Sequence, residues 1–109
     1  MASVKWQDFI DGLKDGAGTL AKDELKGLVA DAKADKDAFI QKQGRKMERY
    51  LTQLANGELS KDEFESCMKD LVVLTAAQAA EMAQAAQTRA HRLASGIATL
   101  AIKALIALL

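Results

Sequence analysis

Proline is absent from all 109 residues, cysteine and histidine occur once each, and one tryptophan, one tyrosine and three phenylalanines are the whole aromatic content. Each shortage excludes something. The missing proline and scarce aromatics leave Ala, Leu, Lys, Glu, Gln and Met in command, the composition of an all-α protein. A lone Cys67 cannot form an intrachain disulfide, and the start MASVKWQDFIDG has no signal-like apolar run, which together point to the cytoplasm. No zinc set of Cys and His can be assembled. On one straight helix Cys67 and His91 would stand 24 residues apart, roughly 36 Å, too far for a thiol and imidazole pair. Thr88 occupies the position where a Glu-x-x-His metal motif would need its glutamate. The run Asp31, Lys33, Asp35, Asp37 imitates a calcium loop, but Lys33 replaces an oxygen ligand, Lys36 the turn glycine and Lys42 the closing glutamate. The expectation is a protein that is not an enzyme, with no cofactor, metal or small-molecule substrate.

Charge of one sign is also missing: fifteen basic and fifteen acidic residues give no net field towards a polyanion. Lys42, Arg45, Lys46 and Arg49 share one helix face and could meet phosphates or an acidic partner. Asp62, Glu63, Glu65 and Asp70, expected across a helical hairpin, offer neutralisation instead, and no aromatics interleave for base stacking. Nucleic-acid binding therefore ranks well below the other readings.

What the chain does have is an apolar end. Residues 93–109, LASGIATLAIKALIALL, carry one charge, Lys103. As a helix this stretch rises about 25 Å against about 30 Å of hydrocarbon, a marginal span. In projection Ile97, Leu100, Leu105 and Leu108 gather on one side and Ile102, Ile106 and Leu109 cover much of the rest. Thr99, Lys103 and Ala107 leave a narrow polar strip. Packing on one partner helix would leave the opposite flank wet, so something outside the chain is expected to cover it.

The helical periods run as follows. Trp6, Phe9, Ile10 and Leu13 mark an amphipathic helix over 3–16, with a bend near Asp15 to Thr19. Leu25, Leu28, Val29, Ala32, Phe39, Ile40, Met47, Tyr50, Leu51 and Leu54 follow one drifting face and predict a single long helix over 19–55, solvated at Asp31 to Asp37. Asn56 and Gly57 supply a stop. Ser60 with Glu63 forms a capping box, and Leu59 with Phe64 a hydrophobic staple, opening a helix over 60–94 that can run on through 95–109. An antiparallel hairpin of two long helices within a single domain follows. Counting from the turn sets Val29 near Ala86 and Phe39 and Ile40 near Thr75 to Ala77. It leaves a charged turn end and, opposite, an apolar end built from both termini.

From 51 to 71 the chain reads LTQLANGELSKDEFESCMKDL, which resembles the short SHOCT-type helical motif in its leucines, Gly57, Leu59, the Glu63–Phe64 helix start, Lys69 and Leu71. That resemblance implies a bacterial, often membrane-linked setting and oligomerisation. The Ala- and Gln-rich helices are similar to those of phasins, which coat polymer granules.

The leading expectation is a self-assembling homo-oligomer. It buries Trp6, Phe9, Ile10, Leu13, Ile97, Leu100, Ile102, Leu105, Ile106 and Leu109 between copies. The alternative is a peripheral protein at the inner face of a membrane, or on a lipid or polymer granule. There the same residues enter the acyl boundary, while Arg89, Arg92 and Lys103 meet headgroups.

Overall fold

Side chains that satisfy free backbone N–H groups open three helices in the middle of this chain, more than the sequence pattern announces. The computed structural model describes residues 4–13 and 19–109, with the backbone alone for 19–21. The expected bend at Asp15 to Thr19 lies outside the described side chains.

Helix α1 spans Trp6–Asp11 and α2 Thr19–Lys33. Helix α3, Ala38–Ala55, starts where the Asp37 carboxylate accepts from the N–H groups of Phe39 (3.0 Å) and Ile40 (3.1 Å). The single helix expected over 19–55 is thus broken at residues 34–37. Asp35 accepts from the Asp37 N–H at 2.8 Å, so two carboxylates read from the sequence as solvated hold a turn and a cap.

The stop at Asn56 and Gly57 is real and physical: Gly57 is the described residue with positive φ, +73°, and needs no side chain there. Helix α4, Lys61–Leu71, opens on a complete capping box, Ser60 Oγ accepting from Glu63 N–H (3.1 Å) and Glu63 Oε1 from Ser60 N–H (2.9 Å). The helix expected over 60–94 is also interrupted. Thr75 and Gln78 make a second capping box at the start of α5, Ala76–Ala80. A last helix then runs from Gln84 to Leu108: α6, Gln84–Gly96, a π-helical segment, Ile97–Leu105, and α7, Ile106–Leu108.

α2, α3, α4 and the last helix close a four-helix ring, each packed on the next, and the tail lies between α2 and α4. Successive members run in opposite directions. Gln43 near the start of α3 donates to the Leu71 carbonyl at the end of α4 (3.1 Å). Arg89 pairs with Asp35 and Leu28 lies on Gly96, which sets the last helix antiparallel to α2. α2 approaches α3 closely, so that a Cβ on Gly44 would stand 2.7 Å from the Lys33 nitrogen and 2.8 Å from Ala32.

The register therefore departs from simple counting. Gly96, not Ala86, lies at the Leu28 to Val29 level of α2, and Arg89 reaches Asp35 just beyond its end, while Phe39 shares a hollow with Gln78, Glu81 and Met82. The hairpin of two long helices is a bundle of shorter ones, because the break at 34–37 folds α2 back along α3. That fold brings Val4, ahead of α1, to the Asn56 turn, where Val4 N–H donates to Asn56 Oδ1 (2.9 Å) and Asn56 Nδ2 to the Val4 carbonyl (3.0 Å), and Leu105 and Leu108 of the tail lie by Ile10 and Leu25. An apolar end opposite the turn does not form.

Candidate functional site

The apolar tail is the feature on which a function would rest, and its winding decides which flank remains open. Buried positions in the last helix fall at Ala86, Ala90, Leu93, Ile97, Ala101 and Leu105, mostly four apart. An α-helix over-rotates each step of four by about 40°. Widening the hydrogen bonds to five residues turns the drift the other way, which offsets the α-helical over-rotation before it, and Ile97, Ala101 and Leu105 of the π segment all stay buried. These three are at most 2% exposed. The opposite line, Ser95, Thr99, Lys103 and Ala107, faces solvent, with half-buried Leu100, Ile102 and Ile106 as shoulders on either side.

Ten residues were expected to meet outside the chain. Four do not: Trp6, Ile10, Ile97 and Leu105 belong to the molecule's own core, because two helices, α2 and α4, flank the tail where one was anticipated. Ile10 also closes over Leu25, Leu100 and Leu105 from the side of α1. Phe9, Leu13, Leu100, Ile102 and Ile106 are half-buried around that core, and Leu109 is 39% exposed. The described surface adds two further apolar side chains that sequence reading passed over, Val4 and Val73, neither of which falls on a periodic stripe.

Of the three proposed headgroup contacts, Arg89 is committed elsewhere. Its Nε and Nη2 donate to the two Asp35 oxygens at 2.9 and 3.2 Å, a forked pair. That hydrogen bond from Arg89, helped by the Asp37 N–H and opposed by burial, holds the Asp35 carboxyl below its usual range and Arg89 above its own. Arg92 and Lys103 stay exposed. The hairpin residues behave as a unit: Gly57 turns, Ser60 and Glu63 cap, Leu59 is half-buried and Phe64 is fully enclosed. The backbone N–H of Ser60 holds the Glu63 carboxyl low.

The basic face of α3 is not neutralised as expected. Among the described residues no ion pair involves Lys42, Arg45, Lys46 or Arg49. Glu63 turns back to its own cap and Glu65 pairs with Lys69, while Arg45 donates to Gln41 and Arg49 lies 5.2 Å from the Tyr50 ring centre.

A half-open cleft of about 240 Å³ lies between α2, α3 and α6, with Leu28, Ala32, Ile40 and Leu93 as its floor and Asp31, Asp35, Arg89 and Arg92 at its rim. It is smaller than the roughly 300 to 1,000 Å³ usual for small-molecule sites. Its rim carries no nucleophile beside a base. Cys67 is a half-buried free thiol and His91 is exposed. Among the described residues no three of His, Cys, Asp and Glu gather as metal ligands.

None of the protein-family models, curated proteins or solved structures compared with the chain matches it.

Proposed function

We propose that the chain is a non-catalytic helical protein of the cytoplasm that self-associates, with the outer flank of its last helix as the contact. One observation carries this reading. Gln84–Leu108 is a 25-residue helix long and apolar enough by composition to cross a membrane, yet only 22% of its most apolar stretch is buried inside the chain. The shoulders Ile102 and Ile106 beside the exposed line, together with Leu109, offer apolar area to a second copy. Completing the burial of side chains this size is worth up to about 1.5 to 3 kcal/mol each.

The test is mass. In detergent-free solution the wild type should scatter light as a defined multimer of 11.7 kDa chains. Ile102→Gln combined with Ile106→Gln should return the single-chain mass with helicity retained. A wild type that runs as a single chain across the accessible concentration range would remove the reading.

The same helix supports a second reading, attachment to a lipid surface or granule. Counted from Gln84 it rises about 37 Å, more than the hydrocarbon needs. Flotation with anionic vesicles that depends on Ile102 and Ile106, from protein that forms no fixed multimer, would favour this alternative.

A further inference from the structure

The break at residues 34–37 has no residue that requires it. Ala34, Asp35, Lys36 and Asp37 include neither glycine nor proline, and none of them adopts positive φ, in contrast with Gly57 at the next turn. Polar side chains bridge it. Asp35 takes the Asp37 N–H, Asp37 caps α3, Gln41 Nε2 reaches the Lys33 carbonyl at 3.3 Å, and Arg89 grips Asp35 from the last helix.

The buried stripes on either side are in phase. Leu25, Val29 and Ala32 of α2 are followed, at helical steps of three and four, by Ile40, Gln43, Met47, Leu51 and Leu54 of α3. Val29, Lys36 and Gln43 are seven apart, so Lys36 is the one place where the common stripe lacks a buried side chain. Drawn out as a single helix, 19–55 would present α2 and α3 on one continuous face. Neither half could then cover the other within one chain.

We propose that two copies of this chain interlock by exchanging α1 and α2, the break straightening so that residues 19–55 form one helix. The proposal goes beyond the contact on the last helix: here two copies engage through α2, against α3 and the tail, and the outer flank with Ile102 and Ile106 is not used. The occupant of the exposed groove is already known in shape: it is the α2 surface that lies against Gly44 and the tail in the single chain. Two straightened helices run antiparallel, Ala32 of each lying on Gly44 of the other, which puts the two-fold axis at Ala38 and Lys36 of each copy opposite Ile40 of its partner.

Two substitutions push in opposite directions. Lys36→Leu fills the gap in the stripe at an exposed position of the single chain, and should tighten dimerisation by about a hundred-fold, one buried leucine from each copy. Ala38→Pro places a ring at the first position of α3, where it is tolerated, but in a straight helix the ring would strike the carbonyl of residue 34. Added to Lys36→Leu, it should restore the single-chain mass.

Lys33 and Glu48, joined at 2.8 Å across α2 and α3, report who pairs with whom. With both changed to cysteine and Cys67 to serine, a short bismaleimide should link two chains in the Lys36→Leu protein. The same reagent should close a loop within one chain once Ala38→Pro is present. A Lys36→Leu protein that stays single, one whose multimer survives Ala38→Pro, or a link confined to one chain in the dimer would each overturn the exchange. Ile102→Gln with Ile106→Gln tests the last-helix contact separately and should leave the exchanged dimer of the Lys36→Leu protein intact.

Discussion

Gly44 is the glycine at which α2 comes closest, and nothing in its local sequence marks it. Flanked by Gln43 and Arg45 inside a helix, it costs about 1 kcal/mol of helix propensity relative to alanine. Its value appears only across the interface, where Ala32 and the Lys33 backbone fill the space a side chain would take. Gly44→Ala should therefore destabilise despite the better helix former, by about 1 to 3 kcal/mol, read as a lower urea midpoint. Gly27 is the natural control, because nothing lies within 4 Å of its missing Cβ. Alanine there should stabilise slightly.

At the level of elements, the start of α4 was legible because Ser60, Glu63, Leu59 and Phe64 sit at fixed offsets in the right order. The starts of α3 and α5 were not. Asp37 stands among Asp31, Lys33, Asp35 and Lys36, a pattern that also suits a solvated helix. The apolar periods continue in phase through it, so no local signal chose between one helix and two. Thr75 with Gln78 has the spacing of a capping box but no strong apolar run behind it. Arg89, which holds Asp35 at the break from the last helix, is 54 residues away in sequence, and no short window contains it. Its grip has a pH signature. Because the folded Asp35 carboxyl titrates below its unfolded value, the pair stabilises fully above the ordinary carboxylate range and the benefit fades as pH falls through the lowered value. Asp35→Asn should accordingly lower the denaturation midpoint near neutrality. The difference from wild type should vanish in strong acid, as measured by urea titrations at the two pH values.

For the whole molecule, the all-α class and the apolar tail could be read directly, since composition and period of three to four speak for themselves. Where the tail goes could not, because its burial depends on α2 and α4 closing round it after the break folds the chain back. Ile97, Ala101 and Leu105 fill the centre between those helices. A chain ending at Gly96 should consequently lose helix throughout, not merely over the residues removed, and circular dichroism would show a loss well beyond that share. Survival of a folded remainder would mean that the tail is an appendage. One detail of the opposite terminus has a practical side. Trp6, the chain's single indole, is 5% exposed and its Nε1 has no hydrogen-bond partner among the described residues, so it sits in an oily, water-poor niche. Fluorescence excited at the indole band comes from that niche alone, and its colour follows whether the first helix is seated or has swung away.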